Sequence, residues 1–177
     1  MTATTSTLQI AHWVERRLDL TLGFHLRASR LFGIVVNDPL ALAADSADGG
    51  ASAGRICFIG EGGDAYALLA GPCGAEARGF DAAALVSTGW AAPMLPDGTM
   101  THRASHHPLR RRVRSACVID DDGIATVLRF EDDPTCPIGN EQGLIGDLVP
   151  AMDAMWWGEL PNLVNLRATR GGCTRRP

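Results

Sequence analysis

Three histidines and a run of arginines stand together in THRASHHPLRRRVR, residues 101 to 114. Imidazoles at His102, His106 and His107 can ligate metal, accept a proton or, once protonated, contact an anion. The guanidinium groups of Arg103, Arg110, Arg111, Arg112 and Arg114 can grip carboxylate or phosphate in a bidentate fork. Zinc asks for three or four ligands. His102 and His106 are spaced like one helical turn, but Pro108 and the small residues around it make a loop, and the spacing names no further ligand. No metal and no cofactor are expected. Single-stranded nucleic acid is bound by basic grooves interleaved with stacking aromatics, and only Trp90 is nearby. Nucleic acid is therefore a lesser expectation than a protein partner or a small anionic ligand, with a solvated charged face as the bland alternative.

A hydrolytic reading takes Ser87 or Ser105 as nucleophile, His106 or His107 as base, and an aspartate such as Asp120 to orient it. Cys73, in Gly71-Pro72-Cys73-Gly74, is a second nucleophile candidate, since turn amides can lower a thiol pKa. The chain has no G-x-S-x-G elbow. Gly60-Glu61-Gly62-Gly63 follows a strand as phosphate loops do, but no helical pattern follows it, so it reads as a turn. The aspartates at 120 to 122 and the acids at 131 to 133 lie at opposite ends of one strand and cannot share an ion.

Composition narrows the field further. Across 177 residues, 46% are apolar and 20% charged, which is globular composition. The net charge of -4 argues against wholesale nucleic-acid binding. All 16 basic residues are arginine. Without lysine, a P-loop, a pyridoxal Schiff base and a kinase phosphate-binding lysine cannot be built in their usual form. Five cysteines with no CxxC pair suggest a reducing, cytoplasmic setting. The first residues lack the basic-then-apolar order of a signal peptide, and no apolar run reaches the roughly 18 residues of a membrane span.

The elements that would position these groups follow from periodicity. Residues 6 to 17 read as an amphipathic helix capped by Ser6 or Thr7, with Ile10, Trp13 and Val14 on one side and Glu15, Arg16 and Arg17 on another. Alternation from Leu18 to Leu26 favours a strand over 19 to 27. Further strands are expected at 31 to 36 and 55 to 60, the latter paired with a returning strand at 65 to 70. Residues 80 to 86 suit a short helix or strand, 43 to 54 a mobile loop, and 94 to 109 a long loop. Asp120-Asp121-Asp122-Gly123 then closes a hairpin. Its register pairs Ile119 with Ile124, Cys117 with Thr126, Ser115 with Leu128 and Val113 with Phe130. On the other face Val118 meets Ala125, Ala116 meets Val127, Arg114 meets Arg129 and Arg112 meets Glu131. Two opposed arginines repel, so something negative is expected beside them: a carboxylate of the chain itself or a bound anion.

Leu144, Leu148, Met152, Met155 and Trp156 form an apolar helical stripe, with Pro150 starting a second helix or kinking the first. Adjacent tryptophans cannot both centre on one stripe, so Trp157 is expected to face outward and anchor a homodimer or partner contact. The fold expected is a single α+β domain over 1 to 166. Hairpins form an antiparallel sheet, helices from both ends pack on one face of it, and the tail from 167 to 177 is disordered. The function expected is a small non-enzymatic interaction or anion-binding protein using His102, Arg103, His106, His107, Arg110, Arg112, Arg114 and Arg129. A hydrolase with its site near Cys73, Ser87, His106 and His107 is the alternative.

Overall fold

Ser6 opens the first helix, α1 (Thr7–Leu22), through a capping box: its hydroxyl accepts from the Gln9 amide, and the Gln9 side chain accepts from the Ser6 amide. The computed structural model describes residues 6–43, 53–93, 103–141 and 148–159. The loop at 44–52, residues 94–102 with His102, Leu144 and the tail from 160 lie outside the described residues.

α1 runs on to Leu22, so the strand expected at 19 to 27 does not form. The stripe of Ile10, Val14 and Leu18 is buried, whereas Leu20, which the alternation would also bury, is 82% exposed. Helical burial won over alternation because the stripe meets a sheet. Gly23 ends the helix with φ 66° and ψ -172°, a backbone that glycine adopts without strain. Glu15, expected on the outer side with Arg16 and Arg17, instead points inward and is 1% exposed.

After α1 come β1 (Ser29–Val36), α2 (Pro39–Ala43), β2 (Gly54–Gly62), α3 (Ala65–Ala70), α4 (Pro72–Ala77) and β3 (Ala82–Ala91). A short 3-10 turn (Ala104–His106) leads into β4 (Arg111–Ile119), β5 (Ile124–Phe130), β6 (Asp133–Asn140) and α5 (Leu148–Trp156). The strands form one six-stranded antiparallel sheet in the order β2-β1-β3-β4-β5-β6.

Residues 65–70, expected as a strand, are helical. Asp64 caps them by accepting from the Tyr66 and Ala67 amides, and the helix buries Leu68 and Leu69. Pro72 then sits in the first turn of α4, where its missing N–H costs nothing. The Gly60–Gly63 stretch therefore leads into a short helix and not into a second strand.

Helices cover both faces of the sheet, not the single face expected. On one side Ile10, Trp13 and Val14 of α1 pack on Ile34, Val86 and Val118. On the other, Leu69 of α3 with Met152 and Met155 of α5 packs on Leu31, Leu85 and Ile119. Double coverage explains why 82–86 of β3 are all buried apolar residues. Among the described residues no helix is long and apolar enough to cross a membrane.

The hairpin has the register read from its turn, from Val113 opposite Phe130 to Ile119 opposite Ile124. Asp120 Oδ1 accepts from the Asp122 and Gly123 amides and from Thr7 Oγ1, tying the turn to the start of α1. Burial raises the Asp120 pKa despite those hydrogen bonds. β6 had no sequence signal of its own. Its Pro134 and Pro137 are tolerated because it is an edge strand.

Candidate anion-binding site

The alternation of β4 sends Arg112 and Arg114 toward α1, on the same face as Ala116 and Val118. Arg114 faces Arg129 directly across the β4–β5 ladder. The negative charge this pair demands comes from α1. Glu15 Oε1 accepts from Arg114 Nη2 and Arg129 Nε, both at 2.6 Å, and Glu15 Oε2 accepts from Arg129 Nη2 at 2.7 Å. Asp19 Oδ1 accepts from Arg114 Nη2 at 2.6 Å. The Gly23 and Pro134 carbonyls accept from Arg114 Nη1 and Arg129 Nη1. Two cations meet two anions, and the Glu15 hydrogen bond holds the Arg129 guanidinium pKa above its ordinary value. Both arginines are buried. Of the two expectations for this pair, a carboxylate of the chain itself or a bound anion, Glu15 and Asp19 meet the first, and the two arginines are occupied by their own chain.

Arg111 points to the opposite face. It lies 3.9 Å over the Phe130 ring and forks onto Asp132 at 2.6 and 2.9 Å. That hydrogen bond lowers the Asp132 pKa and raises that of Arg111. Arg30 likewise reaches Glu61 at 3.1 Å.

Arg110 and Arg112 differ from all of these. Their guanidinium carbons lie 4.9 and 5.0 Å from the centroid of Trp90, which stands opposite Arg112 on β3. Among the described residues neither makes an ion pair with a carboxylate. Glu131, expected to face Arg112, bonds His25 Nε2 at 3.0 Å, while its amide donates to the Arg112 carbonyl. A guanidinium stacked on an indole uses its face and keeps its in-plane N–H donors for a ligand. Trp90 is partly exposed at 38% and Arg110 is exposed, so the cluster is open to solvent.

Arg103 and His106 are exposed in the turn just before this cluster. His107 Nδ1 accepts the Leu109 amide at 3.0 Å, so that nitrogen is committed locally. His102 lies outside the described residues. Trp90 was legible only as the aromatic near the basic segment, and Glu15 was not legible as a participant at all. Trp90 needed the recognition that β3 runs past residue 86, and Glu15 was hidden by its neighbours Arg16 and Arg17. The opposed arginines were themselves the signal for Glu15 and Asp19, the acids four residues apart on the first helix.

The two nucleophile candidates, Ser87 and Cys73, stand apart from one another. Ser87 Oγ is hydrogen-bonded to Ser115 Oγ at 3.0 Å. Cys73 packs over Gly60 of β2, two strands from β3. With Gly60 in register with Leu31 and Leu31 with Leu85, Cys73 stands about 12 Å from Ser87 at ordinary strand spacings. A base must lie within hydrogen-bond reach of its nucleophile or one water away, and no Ser–His or Cys–His hydrogen bond occurs among the described residues. No three His, Cys, Asp or Glu side chains converge on a common point among them either. Comparison with protein-family models, with curated proteins and with solved structures gives no match.

Proposed function

We propose that this chain is a non-enzymatic α+β domain that engages an anionic partner through Arg110 and Arg112 stacked on Trp90, with Arg103, His106 and His107 beside them. The observation that carries the reading is an internal contrast. Among the described residues Arg30, Arg111, Arg114 and Arg129 each have a carboxylate, whereas Arg110 and Arg112 share an indole and make no ion pair. Trp90 and Arg110 are exposed and Arg112 half-buried, which suits an acidic segment of a protein better than a buried small molecule. One exposed aromatic at the cluster, Trp90, and an acidic net charge make nucleic acid the weaker fit. The four described cysteines are free thiols, in keeping with a reducing cytoplasm. A second contact, between two copies or with a partner, is proposed at Trp157, which is 55% exposed just past α5.

Calorimetric titration with poly-glutamate at low ionic strength tests the basic site. Saturable binding that weakens with salt is expected. It should vanish in an Arg110→Ala/Arg112→Ala double variant and persist in Arg111→Ala, whose side chain already has Asp132. Binding unchanged in the double variant would end this reading.

A further inference from the structure

Arg112 and Arg114 of β4 lie on the α1 side of the sheet, and Arg110, just before the strand, stacks on the same Trp90 as Arg112. Arg114 is neutralised by Glu15 and Asp19, two carboxylates four residues apart on one helix, at 2.6 Å. α1 stops at Leu22, and Gly23 turns the chain away while its carbonyl takes an Arg114 N–H. The following segment is pinned to β3, where Thr88 bonds both backbone groups of Leu26. Arg112 and Arg110 therefore have no counterpart of the carboxylates that the helix supplies to Arg114 among the described residues.

The geometry points to an acidic helix as the partner, one carrying Glu or Asp at i and i+4 and lying across Arg110 and Arg112, as α1 sets Glu15 and Asp19 against Arg114. This inference rests on the proposed anion-binding reading and specifies its ligand. The spacings agree. The guanidinium carbons of Arg110 and Arg112 lie 4.9 and 5.0 Å from one ring centroid, so they are at most 9.9 Å apart, and helical residues four apart, separated by about 6 Å, can present a carboxylate to each. An extended peptide with acids at i and i+2 would match the distance too. However, β4 is an interior strand paired to β3 and β5, so it has no free edge to satisfy an extended backbone. A helix satisfies its own backbone and needs only the side chains this site offers.

The test uses the full chain and synthetic alanine-rich peptides of about 16 residues, long enough for partial helicity. One peptide carries two glutamates at i and i+4. A second has the same composition with the glutamates at i and i+2, which on a helix do not share a face. A third carries lysines at i and i+4. By calorimetry at low ionic strength the first should bind about tenfold more tightly than the second, the difference of one charge-assisted contact. Its helicity should rise on binding, and the lysine peptide should not bind. Arg110→Ala/Arg112→Ala, checked by circular dichroism to keep the native fold, should abolish the preference. Equal binding of the two glutamate peptides, or tighter binding at i and i+2, would overturn the helical partner and leave the anion site standing. If neither glutamate peptide nor poly-glutamate binds, the site itself fails.

Discussion

A carboxylate between two arginines is costly to bury and more costly to lose. Glu15 bridges Arg114 and Arg129 with both oxygens, and it and Arg114 are each 1% exposed. Removing one partner of such a group strands a desolvated charge, at about 3–5 kcal/mol. Glu15→Gln is therefore expected to lower unfolding stability by that order in urea denaturation at neutral pH. Arg111→Ala, which removes an exposed pair, should barely move the midpoint. Replacing Glu15, Arg114 and Arg129 together with apolar residues of similar volume should cost less than Glu15→Gln alone. If Glu15→Gln proved harmless, the network would be decoration on a helix held by its apolar stripe. The need for this carboxylate was legible from the opposed arginines. Its source was not, because Glu15 sits beside Arg16 and Arg17 and a helical wheel read by neighbours places all three in solvent.

Elements with a local signature were legible, and those decided by tertiary packing were not. The hairpin register followed from Asp120-Asp121-Asp122-Gly123 and from the penalty of moving Arg114 to the wrong face, since a one-residue slip inverts every side chain. Residues 65–70 were misread because Ala-Tyr-Ala-Leu-Leu-Ala fits a buried strand or a short helix equally. The deciding residue was Asp64, an N-cap. The 18 to 26 stretch carried both periods, and Gly23 looked like a strand residue or a helix defect. It is the helix stop, at φ 66° and ψ -172°. A methyl group there would meet nothing within 4 Å, so any cost of Gly23→Ala is conformational and not steric crowding. About 1–3 kcal/mol is expected from that backbone region, read as a lowered urea midpoint. A neutral substitution would show that the 23–28 segment re-routes without loss.

At the scale of the molecule, the central strands of the sheet are buried on both sides. The clue was present in the sequence, since both faces of the β4–β5 hairpin are mostly apolar next to its turn and 82–86 have no polar side at all. A one-sided sheet alternates, whereas these central strands do not. Double coverage uses up the apolar faces of α1 and α5, and it leaves Trp157 as the large aromatic most exposed among the described tryptophans. Its neighbour Trp156 is buried, and the Trp156 indole N–H donates to Asp121 at 3.0 Å. The two rings thus divide between core and surface as adjacent helical positions must. A tryptophan in solvent forgoes a large apolar burial that an interface would recover. Trp157→Ala is accordingly expected to leave the thermal midpoint nearly unchanged and to shift the elution volume of a self-associating species toward the monomer. A large loss of stability at constant mass would instead assign Trp157 to the core of its own chain.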